Sequence, residues 1–465
     1  MSDYYKRRSK TKNVLKRVLL AVLCFIFVVT VAVSSVFVID RFFINDAENP
    51  STTQSDTAST QSTSSVPEEP KVMTATLAAT GDLLMHDPLI TNAKTEDGYD
   101  FSNIFKYFAS YASSADYAVA NLETTLRGTE DGYTYKGYPQ FNCPDEIVDA
   151  VKGSGFDMLL TANNHSYDTR FKGMLRTLEV VDEKGLDRLG IVKDDTEKRY
   201  IIKNVNGINI GMLCYTYETD DDKDKVALNG IPLSEEAKGL VNTFNVNELD
   251  TFYEKLNAQL EEMKTNGADA TVLFIHWGEE YHTEEIKSQR TMAQKICNLG
   301  VDVIIGGHPH VVEPVDLLTS ETDSEHKTFC IYSLGNAVSN QRRERMNLST
   351  GHTEDGILFS VTFEKIGDGK AYVKSVDVLP LWVNMFKSSK TGKTHYEIIP
   401  LDESIEDWKE AFDFTDTSEK KARESLERTQ KIVGKGMDKI NEYLSPESDD
   451  ISDIQSSSGP ASAES

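Results

Sequence analysis

The stretch "VDVIIGGHPHVVEP", residues 301–314, sets two histidines either side of a proline at the end of an apolar run. Residues 301–305 alternate too little for a half-exposed strand. They read as a short strand buried on both faces and stopped by Gly306 and Gly307. Strands of that kind belong to α/β proteins, whose ligands collect at the carboxyl ends of the sheet. His308 and His310 come directly after such an end.

The pattern repeats along the chain. Strands are predicted at 74–80, 117–122, 156–162, 208–215, 271–275, 301–305 and 328–334. Helical periodicity falls between them at 101–114, 144–153, 171–185, 245–265 and 284–299. That alternation predicts an α/β fold with a largely parallel sheet. Two later alternations, 356–364 and 371–381, predict antiparallel strands that complete a second sheet.

The residues just past each strand carry the chemistry. After 74–80 come Asp82 and His86; after "YAVA" come Asn121 and Glu123; after 156–162 come Asn163, Asn164, His165 and Asp168. His276 comes after 271–275, and His308 and His310 after 301–305. Each has an ordinary reading on its own. Asp82 suits a turn or a helix N-cap, Asn164 a left-handed turn, and His86 a packed loop. Five of the nine histidines at strand ends, together with carboxylates and carboxamides, is a different matter. Such a donor set suits first-row divalent ions without any thiolate, manganese, iron and zinc among them. It also exceeds the four ligands of a structural zinc, so two ions sharing a carboxylate is the expected arrangement.

Other chemistries fit poorly. "TGKT" at 391–394 lacks the first glycine of a phosphate-binding loop, and no G-x-S-x-G elbow is present. A formal net charge of −26 over 465 residues argues against nucleic acid as a partner. The 39% apolar content is enough for a sizeable core, and five scattered cysteines with no CxxC pair argue against a disulfide framework.

The N-terminus bears on location. Residues 18–39, "VLLAVLCFIFVVTVAVSSVFVI", carry no charge and would span ~33 Å as a helix, enough for a bilayer core. Seven basic residues against one acid precede this span, which predicts a cytoplasmic N-terminus and an extracellular main domain. A cleaved signal peptide is the competing reading; its apolar region is usually only ~7–15 residues and ends in a small-residue site that is missing here. The expected organisation is a basic tail (1–17), a transmembrane anchor (18–39) and a disordered Ser/Thr-rich stalk (40–70). A catalytic-type domain (71–400), a charged helical appendage (401–445) and a disordered acidic tail (446–465) complete it.

In order, "GDLLMH", "NLETTL", "TANNHSYD", "HWGEEY", "GGHPH" and "YSLGNAV" resemble the bacterial capsule synthesis protein CapA family, associated with poly-γ-glutamate capsules. The resemblance covers roughly residues 72–340, and that family is similar in turn to the calcineurin-like metallophosphoesterases. It implies a sandwich of two sheets flanked by helices, with a dimetal site. It further implies Asp82, His86 and His310 on one ion and Asn164, His276 and His308 on the other. Glu123 would bridge, and His165, oriented by Asp168, would stand beside the leaving oxygen. Glu280, Tyr281 and Asn336 would line the substrate pocket. Three departures from the phosphoesterase pattern stand out: three residues rather than one between Asp82 and His86, Glu at the bridge, and Asn163 where glycine is usual.

Two functions remain open at this point. One is a surface metallohydrolase acting on a phosphoester or amide of an anionic envelope polymer or its chain end. The other is a non-catalytic, metal-binding accessory of polymer synthesis and export, working beside other capsule synthesis membrane proteins.

Overall fold

The computed structural model describes residues 70–219, 226–388 and 392–445. The predicted cytoplasmic tail, the 18–39 anchor, the stalk up to residue 69 and the acidic tail lie outside those residues. Among the described residues no helix is long and apolar enough to cross a membrane.

The chain runs through β1 (Val72–Leu83), β2 (Tyr117–Asn121), β3 (Met158–Leu160), β4 (Asp187–Leu189), β5 (Ile201–Val205), β6 (Ile208–Tyr217), β7 (Ala227–Leu228), β8 (Ile231–Pro232) and β9 (Thr243–Phe244). It continues as β10 (Ala270–His276), β11 (Val303–Gly307), β12 (Val315–Thr319), β13 (Lys327–Ile331), β14 (Asn336–Val338), β15 (Asp355–Ile366), β16 (Tyr372–Lys387) and β17 (Thr394–Pro400). Two sheets form. The first has the order β17-β16-β15-β1-β2-β3-β4, with β14 on the end of β1; the second is β12-β13-β11-β10-β6-β5, with β9 on β6. Each has a parallel centre, β1 to β4 in one and β6, β10, β11 and β13 in the other.

The period-two alternation of side chains explains the layering. Ala75, Leu77 and Ala79 of β1 meet Ile210, Met212, Val272, Phe274, Val303 and Ile305 of the second sheet in one core between the sheets. The alternate residues face outward. Leu213, Leu273 and Ile304 pack under the helices Leu249–Thr265 and Lys287–Asn298. Ala78, Ala118 and Leu159 pack under Glu146–Gly153 on the opposite side. Strands covered on both faces are what the continuous apolar runs required.

Two expectations change. The alternations at 356–364 and 371–381 are β15 and β16, but they do not complete a second sheet. β15 pairs antiparallel with β1, Val72 opposite Ile366, and so extends the first sheet. The second sheet is built instead from strands that the sequence assigned to a single parallel sheet. The predicted helix 101–114 is also broken, into a 3-10 turn, Ser102–Phe105, and one helical turn, Ala109–Ala112. Its buried face keeps helical spacing (Phe101, Ile104, Phe105, Phe108, Ala112), but five aromatic rings in eleven residues lose side-chain freedom in a regular helix.

The C-terminal helix Asp416–Leu444 packs on β16 of the first sheet and β12 of the second. Arg428 holds buried Asp355 in a two-pronged pair, Nε to Oδ2 at 2.8 Å and Nη2 to Oδ1 at 2.7 Å, and the Ser425 hydroxyl donates to Oδ1 at 2.6 Å.

Candidate metal centre

The carboxyl ends of both parallel centres converge. Asp82 ends β1, Glu123 comes after β2, and Asn164, His165 and Asp168 come after β3. His276 is the last residue of β10, and His308 and His310 lie just past β11. None of these eight residues is more than 5% exposed. The site therefore lies between two sheets rather than along the edge of one.

Glycine makes the approach possible. A Cβ on Gly306 would fall 1.9 Å from the Tyr332 carbonyl oxygen, and one on Gly81 would fall 1.8 Å from that of Gly335. Beyond Gly307 the chain turns sharply: His308 (φ +98°) and His310 (φ +57°) both take left-handed backbone, with Pro309 fixed between them. Non-glycine residues hold that geometry only where surroundings enforce it, and such strain gathers at functional sites.

Among the described residues, two groups of side chains offer ligand atoms within 4.8 Å of one another: Glu123, His276 and His308, and Asp82, Glu123 and His310. Glu123 belongs to both. His310 Nδ1 is 3.1 Å from Asp82 Oδ2, His276 Nε2 is 3.5 Å from Glu123 Oε1, and Asn164 Oδ1 is 2.9 Å from His276 Nε2. A carboxamide relay fixes Asp82 from behind: Asn163 Nδ2 donates to Asn121 Oδ1 at 3.1 Å, and Asn121 Nδ2 donates to Asp82 Oδ1 at 2.8 Å.

The electrostatics favour a cation. Burial, and then the charge of Asp82, push the Glu123 carboxyl well above the usual carboxylate range. Burial also raises Asp82, but the hydrogen bond and charge of His310 outweigh it and hold that carboxyl low. Burial lowers His276 to about 3 and holds His308 well below the usual imidazole range, so both imidazoles keep a free lone pair at neutral pH. Both Glu123 oxygens and His308 Nδ1 are buried without a hydrogen-bond partner. A buried carboxylate left unpaired is costly, and a divalent ion removes that cost by reversing the local charge balance. The residues fit divalent ions.

His165 Nδ1 lies 2.8 Å from Asp168 Oδ2, and the Phe141 ring packs edge-on against the imidazole with centroids 4.7 Å apart. His86 is in neither ligand group. Its Nδ1 lies 3.1 Å from the Leu84 carbonyl and 3.3 Å from the Asn340 backbone nitrogen, and burial lowers it to about 4. The longer spacing from Asp82 carries it onto the neighbouring loop. Asn336 is fully buried, and its amide donates to the His310 carbonyl at 3.1 Å, so it props the histidine turn rather than lining a pocket. Glu280 and Tyr281 stand exposed at the rim, where the Tyr281 hydroxyl accepts from Gln341 Nε2 at 3.2 Å.

Sequence reasoning missed one neighbour, Tyr217, and the pairing of two residues it had named. Tyr217 ends β6, and its hydroxyl is 3.2 Å from His308 Nε2; the strand-end rule finds it once the strand is extended by two residues. Asn121 and Asn163 sat inside the quoted motifs, and their pairing with each other had no sequence signal.

The family model for "Bacterial capsule synthesis protein PGA_cap" matches residues 76–341. The chain is 29% identical over 312 residues to the capsule biosynthesis protein CapA of Bacillus anthracis, covering 66% of this chain and 67% of that protein. It is 29% identical over 325 residues to the PGA biosynthesis protein CapA of Bacillus subtilis (strain 168), covering 67% and 75%. Among solved structures, the sulfate thiohydrolase SoxB of Thermus thermophilus aligns over 77% of this chain and 60% of its own, at 13% identity and a TM-score of 0.37, too low to carry an argument. The motif order, the two ligand groups and this match over more than half the sequence agree: the chain belongs to the bacterial capsule synthesis protein family PGA_cap.

Proposed function

We propose that the protein is a membrane-anchored, extracellular hydrolase of capsule synthesis. It would cleave a phosphoester or amide bond of an anionic envelope polymer on a calcineurin-like, two-ion site. One observation carries the reading: Glu123, fully buried, with both oxygens unpartnered, shared by two ligand groups from two sheets. Asp82, Glu123 and His310 would hold one ion, and Glu123, His276 and His308 the other, with Asn164 beside His276. Divalent ions bound there supply positive charge that acidifies water and polarises a phosphoryl or carbonyl oxygen.

The chain's own residues would supply the rest. Water's oxygen bonds to the phosphorus or carbonyl carbon while the bond to the leaving oxygen or nitrogen breaks. His165, held by Asp168 with Nδ1–H toward the carboxylate, would take the attacking water's proton at Nε2 and pass it to the leaving atom. The apolar 18–39 segment and its basic flank support the anchored, outward topology.

A second reading has its own support. The residues after 45 hold 41 basic and 73 acidic side chains, a net of −32, and polyglutamate is itself a polyanion. Like charges repel over a Debye length of about 8 Å, so extended binding of that polymer is disfavoured. Contact would be short and ion-dependent, as an accessory handling a chain end would need. The test is turnover by the metal-loaded full chain on a generic phosphodiester and on a γ-glutamyl amide, with and without chelator. Chelator-sensitive turnover that His165→Ala abolishes supports the hydrolase. Loaded metal with no turnover on either leaves the accessory reading, and there Glu123→Gln should weaken polymer binding.

A further inference from the structure

The strands β7 and β8 form a two-residue hairpin that stands apart from both sheets. Its turn is Asn229 and Gly230, both with positive φ (+49° and +66°), the mirror-image turn that Asn-Gly favours. Leu228 and Ile231 sink into the core between the sheets, and Gly230 N–H donates to the Thr219 hydroxyl at 2.8 Å. Just past the hairpin, Ser234 N–H donates to the Tyr167 hydroxyl at 3.2 Å, which ties this segment to the loop carrying His165. The tip is thus held firmly, and it is held over Asp168.

Asp168 is the best-satisfied carboxylate of the site. Phe141 N–H donates to Oδ2 at 2.6 Å, His165 Nδ1 lies 2.8 Å from the same oxygen, and Asn229 Nδ2 donates to Oδ1 at 2.8 Å. The other amide hydrogen of Asn229 serves the Pro139 carbonyl at 2.9 Å. With both hydrogens used this way, the contact between Asn229 Nδ2 and His165 Nδ1 at 3.3 Å is one of packing. We propose that Asn229 is the positioning residue of the proton-transfer pair: its carboxamide fixes Asp168, which keeps His165 with Nδ1–H toward the carboxylate and leaves Nε2 for substrate.

The hairpin therefore couples the chain that leaves the second sheet after β6 to a pair of residues on the first. Without Asn229, Oδ1 of Asp168 loses its donor, and the carboxylate can rotate so that either imidazole nitrogen carries the proton. Hydrogen bonds that orient a ligand or base in this way cost roughly 10–100-fold in function when removed. The role rests on the hydrolase reading in so far as His165 acts on substrate. The orientation of the ring can be read without any turnover.

The full chain, metal-loaded and labelled with 15N-histidine, tests this, with His165→Gln assigning the resonance. In the wild type the His165 ring should be the Nδ1–H tautomer. Asn229→Gly keeps the left-handed turn and removes only the carboxamide. It should mix the tautomers, lower kcat about tenfold, leave KM unchanged and leave metal content unchanged. Asn229→Ala likewise removes the carboxamide without adding a charge beside Asp168, and should behave alike, so failure of one variant to fold does not remove the test. A pure Nδ1–H tautomer in the variants that fold would overturn the proposal. If the wild type turns over no substrate, the hydrolase reading falls, while the ring-nitrogen spectra still decide the role of Asn229.

Discussion

Asp82 Oδ2 and His310 Nδ1 stand 3.1 Å apart although 228 residues separate them in the chain. The pair joins the end of β1 in the first sheet to the turn after β11 in the second, and Glu123 lies against both residues. The full chain should therefore carry about two divalent ions. Because Glu123 is common to both groups, Glu123→Ala should lower metal content more than His276→Ala or His308→Ala. Equal content in all three, by elemental analysis, would remove the shared-carboxylate arrangement.

Tyr217→Phe removes a hydroxyl 3.2 Å from His308 Nε2 and little else. Loss of such a partner weakens metal affinity by about 10–100-fold, so competition with a chelator should show the variant releasing metal first. Thermal stability of the metal-free chain should be nearly unchanged. Identical chelator curves would mean that the hydroxyl does not orient the imidazole.

Glu313 gives a pH dependence outside the ligand groups. It is fully buried, with Oε2 accepting from Gln289 Nε2 at 2.7 Å and Oε1 unpartnered. Burial pushes its carboxyl from 4.5 up to about 8, against the Gln289 hydrogen bond. Between those values the folded protein keeps a proton that the unfolded chain releases. Stability is therefore lost as pH rises through that window, by up to about 1.4 kcal/mol per pH unit from this group. Glu313→Gln cannot ionise, so urea unfolding at pH 5.5 and 7.5 should show its advantage over the wild type growing with pH. A constant difference would show that Glu313 is already ionised in the folded state.

Arg428→Met should destabilise the domain by about 3–5 kcal/mol, because it strands buried Asp355 without its cation. The loss should appear as a shifted denaturation midpoint and easier proteolysis of the C-terminal helix. An unshifted midpoint would make the pair an ornament of the surface.

Protease added to intact cells should remove most of the chain and leave a short anchored stub. Complete protection would place the domain on the other side of the membrane.

Much of the site was legible because strand ends are local features. Asp82, Glu123, His276, His308 and His310 each come after an apolar run that announces itself. The partition into two sheets was not legible: β15 joins β1 across nearly 300 residues, and periodicity specifies which face of a strand is buried but not its neighbour. Asn336 and His86 were misplaced for a related reason. An amide that props a backbone and one that lines a pocket look alike in sequence, and a histidine four residues from an aspartate can fall on either side of a turn. Asn229 was not singled out from the sequence at all, because its reach to Asp168 depends on how the chain returns from the second sheet.

Both ligand groups draw on both sheets, Asp82 or Glu123 from one and histidines from the other. Neither sheet alone is a chelator, so ion capture must come after the two have closed on each other. A chain exported unfolded would leave the cytoplasm empty-handed. The occupant would then be chosen by the supply at the place where folding finishes, since affinity order alone does not select among first-row ions. Were the domain displayed outside the cell, as proposed, the composition of the surrounding medium would set which ion it carries.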